Sequence, residues 1–257
     1  KLVHASLIDG IRLSEAKCIR YRHNEYSQLE RLVETHHKQY EQVIIVTESI
    51  FSMDGDEADL PRLVKLKQKY PNILLYVDEA HAVGVRGTGG LGCAEAYGCI
   101  ADIDFLVGTF GKALASSGAY IVCGQVIRDY LINKMRPFIF TTGLPPVTLQ
   151  WTSFVLRHLA GYQAKREHLA AIGNRLRAAL REKGYSSASV SQIVPMVAGE
   201  SATALQIAKE LQRKGFYALP VRPPTVPEGT SRIRFSLTAD VTDEEVEKLI
   251  STVNDNR

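Results

Sequence analysis

The chain has 257 residues, of which 45% are hydrophobic and 23% charged, with 31 basic against 28 acidic side chains. These are ordinary values for a globular protein, and the length allows one large domain or two modest ones. A net charge of +3 is too balanced to point to nucleic acid or an anionic membrane, and no apolar run approaches the roughly 20 residues of a membrane span.

The opening "KLVHASLIDG" resembles no signal peptide and lacks an initiator Met. The chain therefore reads as starting inside a domain, with an N-terminal part missing. "QVIIVTESIF" (42–51) is a β-branched run ending in polar residues and predicts a buried strand. "LPRLVKLKQKY" (60–70) has apolar residues at helical spacing and predicts an amphipathic helix. "NILLYVDEA" (72–80), "IDFLVGTF" (103–110) and "GAYIVCG" (118–124) predict three more buried strands. This alternation predicts an α/β fold, a mostly parallel sheet with helices on both faces.

The stretch 147–184 predicts a long helix, with Gly161 and Gly173 as candidate breaks. After it come "IVPMVAG", a helix opened by Ser201, a Pro-rich loop, and a helix opened by Thr242 with Glu245 at capping-box spacing. The organisation read from this texture is a large domain over 1–150, then a linking helix and a small α+β domain over 151–257. The four cysteines, Cys18, Cys93, Cys99 and Cys123, lack metal-ligand spacing and read as reduced thiols of a cytoplasmic protein.

Asp78 sits at the carboxyl end of a predicted strand, with His81 three residues on and Lys112 just past another strand end. Ligands of open α/β sheets bind outside such ends. Each residue alone has a plainer reading: a turn cap, a structural imidazole, a lysine reaching solvent. Together they fit one chemistry. A pyridoxal phosphate enzyme needs a lysine for a Schiff base and a carboxylate to keep the pyridine nitrogen protonated. Thr109 could offer its hydroxyl and N–H to the phosphate.

Two other patterns compete. "DEAH" (78–81) is also the spelling of a helicase ATPase motif, but "LVGTFGKA" lacks the first Gly of a Walker A loop and has Ala113 in place of Ser or Thr. "GTGGLG" (87–92) fits G-x-G-x-x-G but does not directly follow a strand, and reads as a flexible glycine loop. A third alternative is a cofactor-free α/β segment with a structural role only.

With these residues placed, "HASLIDG", "TESIFSMDGD", "VDEAHAVGVRGTGGLG", "GTFGKALASSG", "FTTGLPP" and "RPPTVPEGTSRIRFSLTA" together resemble the α-oxoamine synthase family of fold-type I pyridoxal phosphate enzymes. The resemblance runs the whole length of the chain. It implies the fold-type I large domain plus a small C-terminal domain. It also implies a decarboxylative condensation of an amino acid with an acyl thioester. "RPPTVPEGTSRIR" resembles most closely the branch that joins L-alanine to a pimeloyl thioester, carried on coenzyme A or a carrier protein. The branch that uses glycine and an acetyl thioester is next.

Carried over by motif, Lys112 is implied to hold the cofactor and then act as base. Asp78 would pair with the ring nitrogen, His81 contact the ring hydroxyl, and His4 stack on the ring. Ser52 would lie beside the cofactor and Thr109 on its phosphate. Thr141 and Thr142 would reach the phosphate of a partner subunit's cofactor, which implies a homodimer with shared active sites. Arg234 would hold the amino-acid carboxylate, a contact that suits a guanidinium, and Thr225 would line the substrate pocket. The family carries more chain before "HAS", so these residues alone are expected to bind cofactor weakly or turn over poorly.

Overall fold

The structure is a computed structural model that describes residues 2–185 and 187–254. The chain divides into two compact units. One runs to Phe51 and resumes over Ala58–Tyr162; the other joins Ser52–Glu57 to the chain from Gln163 onward.

The first unit contains α1 (Ala5–Arg12), α2 (Tyr26–His36), β1 (Val43–Glu48), α3 (Leu60–Gln68), β2 (Ile73–Asp78), α4 (Cys93–Ala96), β3 (Phe105–Thr109), β4 (Ala119–Cys123), α5 (Gln125–Lys134), α6 (Arg136–Ile139) and α7 (Pro146–His158). Its strands form one sheet in the order β1-β2-β3-β4. The first three are parallel, with Glu48 opposite Asp78 and Asp78 opposite Val107. Parallel neighbours require a crossover, which α3 supplies between β1 and β2. α3 starts well because the Asp59 side chain accepts the Arg62 N–H at 3.0 Å, and it buries Leu60, Leu63, Val64 and Leu66. Each such side chain is worth about 1.5–3 kcal/mol relative to exposure.

β2 alternates. Ile73, Leu75 and Val77 are buried while Leu74, Tyr76 and Asp78 are half-buried, so the side chain that ends the strand faces away from the core. β4 departs from expectation. It is antiparallel to β3, because the loop 110–118 simply turns the chain back, and it lies at one end of the sheet order. Its residues are not buried: Val122 is 50% exposed. An apolar run signals affinity for apolar surroundings, and the described part of this unit leaves those of β4 largely uncovered. The result is an α/β fold with a mixed sheet flanked by helices.

The predicted long helix is two. α7 ends at His158, a 3-10 turn covers Leu159–Tyr162, and a new helix begins at Gln163. Gly161 lies in that turn. Gly173 does not break anything; it sits inside the second helix, where a Cβ would stand 3.2 Å from the Arg177 guanidinium and 3.6 Å from the Ser191 carbonyl.

The second unit holds that helix, α8 (Gln163–Glu182), then β5 (Ile193–Gly199), α9 (Ser201–Arg213), β6 (Pro220–Val221), β7 (Ser231–Ser236) and α10 (Asp243–Asn254). Its antiparallel sheet runs β5-β7-β6. Ser201 is not the cap of α9. Glu200 takes that position without a side-chain bond, and the Ser201 hydroxyl instead meets that of Ser231 at 3.1 Å. Thr242 and Glu245 do form a capping box: the Thr242 N–H donates to Glu245 Oε2 at 2.8 Å, and the Glu245 N–H to Thr242 Oγ1 at 3.2 Å. Thr242→Ala is therefore expected to cost about 1 kcal/mol in denaturant unfolding; a loss below about 0.3 kcal/mol would remove the cap from the account. Among the described residues no helix is long and apolar enough to cross a membrane.

Candidate active site

The carboxyl ends of β1, β2 and β3 open onto a cavity of about 320 Å³ in the first unit, lined among others by His4, Glu48, Tyr76, Asp78, Thr109 and Lys112. Each arrives by a different route. Asp78 is the last residue of β2, and one oxygen of its carboxylate accepts the Ala80 N–H at 2.8 Å. The turn-cap reading of Asp78 thus describes one of its oxygens, while the residue still lines the cavity. Thr109 ends β3. Its hydroxyl donates to the Gly118 carbonyl at 3.1 Å and accepts the Gly111 N–H at 3.1 Å, which closes the loop carrying Lys112.

The Lys112 amine lies 2.9 Å from His81 Nε2. The donor depends on the tautomer: an imidazole with its proton on Nδ1 accepts from the amine at Nε2, whereas one with its proton on Nε2 donates to a neutral amine. Two bases this close disfavour both being charged at once. His4 stands at the start of α1, where its ring Nδ1 accepts the Ser6 N–H at 3.3 Å and meets the Ser6 hydroxyl at 2.8 Å.

The loop under Lys112 is tightly packed. Leu114 is fully buried with Val83 and Leu159, and a Cβ on Gly84 would meet that of Ala113 at 2.7 Å. The Trp151 indole N–H donates to the Ala115 carbonyl at 2.9 Å. Within "ALASSG", Leu114 is the buried anchor, while Ala113, Ala115, Ser117 and Gly118 are exposed. Gly108 admits a neighbour from β4, since a Cβ there would lie 2.4 Å from the Tyr120 hydroxyl oxygen. Burial, helped by Glu79 and Asp78, pushes the Tyr120 hydroxyl up to about 12. Burial, with Asp78 nearby, does the same to Tyr76, so both remain protonated donors at neutral pH.

The acid after Asp78 has an inward role. Glu79 is fully buried. It accepts the Ser49 hydroxyl at 2.6 Å and the N–H groups of Cys93 and Ala94 at 3.0 and 2.7 Å. The Asp-Glu pair of the helicase reading is thus split between the cavity and the fold's interior. The glycine loop, expected to be flexible, is hydrogen-bonded at several points. Glu95 accepts the N–H groups of Gly89 and Leu91, both at 2.8 Å, and Gly84 N–H bonds the Gly90 carbonyl at 2.7 Å.

The cavity thus brings together His4, Asp78, Thr109 and Lys112, with His81 held against Lys112. Thr141 and Thr142 are exposed in the loop between α6 and α7. Ser52, Thr225 and Arg234 belong to the second unit. There Arg234 lies on the central strand, not an edge. Its Nε donates to the Ser52 carbonyl and its Nη1 to the Ser236 hydroxyl, both at 2.5 Å. Burial lowers its pKa from the ordinary guanidinium value. Arg234 also lines a cavity of about 620 Å³ with Met53, Phe216, Leu219 and Leu249. Thr225 is exposed in the Pro-rich loop. Glu48 and Tyr76 were not singled out from sequence, although Glu48 ends its strand in an acid just as Asp78 does.

Residues 1–253 match the family described as aminotransferase class I and II. A protein named putative 8-amino-7-oxononanoate synthase from Glaesserella parasuis is 58% identical over 98% of this chain and 66% of its own length. The chain thus spans a little under two thirds of that relative. A solved serine palmitoyltransferase from Sphingomonas wittichii superposes with a TM-score of 0.92 at 33% identity, over 98% of this chain and 64% of that one. Another solved structure, described as SPT with PLP internal aldimine, gives 0.91 at 31% identity, over 97% and 63%. The resemblance drawn from the motifs holds along the same span, and the chain belongs to the aminotransferase class I and II family.

Proposed function

We propose that the protein is a pyridoxal-phosphate-dependent acyltransferase that condenses L-alanine with a pimeloyl thioester, giving 8-amino-7-oxononanoate, CO₂ and the free thiol carrier. The observation that carries this is the meeting of an amine, an imidazole and a carboxylate at parallel strand ends in one cavity. The 58% identity to a protein named for this product, against 33% to a serine palmitoyltransferase, favours alanine and a pimeloyl group.

The residues fit the cofactor. An amine, an acid for a ring nitrogen, an imidazole for a ring face and a threonine at a strand end line a space in the size range of small-molecule sites. Lys112 and Asp78 would hold its two chemically active ends, with His4, His81, Ser52 and Thr109 around it. When bound, pyridoxal phosphate supplies an aldehyde for amines and a ring that accepts negative charge from the amino acid's α-carbon. Asp78 would pair with the ring nitrogen and help it hold its proton. Lys112 Nζ would take the α-proton and return one to the same carbon after CO₂ has left. His81 Nε2, 2.9 Å away, would orient that amine by a hydrogen bond. Arg234 would pair with the substrate carboxylate until it departs as CO₂, and Thr225 would line that pocket. Thr141 and Thr142, exposed on their loop, would reach the cofactor of a second copy in a homodimer.

The test is product analysis of the protein loaded with pyridoxal phosphate, using alanine or glycine against pimeloyl and acetyl thioesters. The expected product is 8-amino-7-oxononanoate from alanine and the pimeloyl thioester. Detecting only 2-amino-3-ketobutyrate would move the assignment to glycine C-acetyltransferase. Failure of pyridoxal phosphate to give any visible band even in large excess would overturn the reading as a whole.

A further inference from the structure

Glu48 closes β1 opposite Asp78. It is 3% exposed and lines the same cavity as His4, Asp78 and Lys112. Its carboxylate accepts the main-chain N–H of His4, a residue 44 positions earlier. That N–H belongs to the cap of α1, a helix whose apolar residues Leu7, Ile8 and Ile11 are only half-buried. An apolar face is what usually holds a short helix in place, so polar contacts at the start of α1 add to a partial apolar one.

Two such contacts divide the work. The ring's bonds to Ser6 fix the imidazole relative to α1. The bond from Glu48 fixes α1 relative to the sheet that carries Asp78 and Lys112. Hydrogen bonds to an ionised acceptor are the strong kind, and a buried carboxylate is costly unless it is so engaged. An apolar side chain would fill the strand end at less cost but could not accept the N–H.

We propose that Glu48 is a positioning residue that holds His4 at the cavity through its main chain. This rests on the reading that His4 belongs to the cofactor site; the first measurement below does not need the cofactor. Hydrogen exchange on the full chain without cofactor should show the His4 amide protected in the unchanged protein. In Glu48→Leu, the amides of His4, Leu7 and Ile8 should exchange at least tenfold faster, the last two because both donate to the His4 carbonyl. Glu48→Gln keeps an acceptor oxygen and should restore protection.

With pyridoxal phosphate added, Glu48→Leu should still give a visible band through Lys112. Its maximum should shift, and kcat should fall more than KM rises, while Glu48→Gln recovers both. An unprotected His4 amide in the unchanged protein would sink the proposal even if Glu48→Leu did not fold. So would unaltered exchange in a folded Glu48→Leu, or a Gln variant that fails to rescue. A band missing in the unchanged protein even with cofactor in large excess would instead sink the functional reading and leave the exchange result standing.

Discussion

Lys112→Ala is expected to abolish the visible band that pyridoxal phosphate gives with the unchanged protein, and to lower turnover by at least about 10²–10⁴, the contribution of a positioned acid–base group alone. Lys112 carries the only amine among the residues lining the first unit's cavity, so no neighbour there can replace it. The loss should be chemical. The Lys112 side chain is exposed, and its loop is held by other groups. Leu114 is in the core, the Phe110 N–H bonds the Gly118 carbonyl at 2.9 Å, and the Ser116 N–H bonds the Phe110 carbonyl at 2.8 Å. The melting temperature should hardly move. Lys112→Arg should fail equally, because a guanidinium stays protonated and cannot serve as the amine. The checks are an absorbance titration with the cofactor, a turnover assay and a thermal melt on each variant. A band that survives in Lys112→Ala would assign the amine elsewhere and dismantle the mechanism.

Much of this site was legible in the sequence because chemistry concentrates at strand ends. The apolar runs located β1, β2 and β3 to within a few residues, and the polar residue closing β2 marked Asp78. The direction of β4 was not legible: "GAYIVCG" has the composition of a buried strand whichever way it runs. Glycines were equally ambiguous. Gly161 lies at a helix break and Gly173 inside a helix, and the difference is what packs against each backbone. Ser201 and Thr242 looked alike as helix openers. Thr242 has Glu245 three residues on to complete the cap, while Ser201 is followed at that spacing by Ala204 and bonds across to β7 instead. Glu48 carried the same signal as Asp78, an acid after an apolar run, but its partner is the main chain of His4. A main-chain partner so distant in sequence leaves no mark in either residue's identity.

Glu79→Ala is expected to destabilise the fold by about 3–5 kcal/mol, the range for removing one member of a buried charged network. The carboxylate is completely buried and serves three donors: the Ser49 hydroxyl on one side and the Cys93 and Ala94 N–H groups on the other. Those two N–H groups open α4, whose own cap position is Gly92 and offers no side chain. A carboxylate from the turn after β2 therefore does the capping, where negative charge also suits the helix N-terminus. Deleting it removes the acceptor of the Cys93 and Ala94 N–H groups, a loss of about 1–3 kcal/mol for each buried donor left unsatisfied, while the Ser49 hydroxyl retains the Asp78 carbonyl at 3.4 Å. Glu79→Gln should cost less, because one acceptor oxygen remains, but its NH₂ group would then face a donor. Gly92 tests the same contact from the other side. Its φ is +112° and a Cβ would lie 2.6 Å from Glu79 Oε2, so Gly92→Ala both strains the backbone and displaces the carboxylate. Denaturant unfolding at neutral pH measures all three variants, and the expected order of loss is Glu79→Ala above Glu79→Gln. A loss under about 1 kcal/mol for Glu79→Ala, the net worth of one ordinary hydrogen bond, would mean that the carboxylate is not the clamp its three contacts describe.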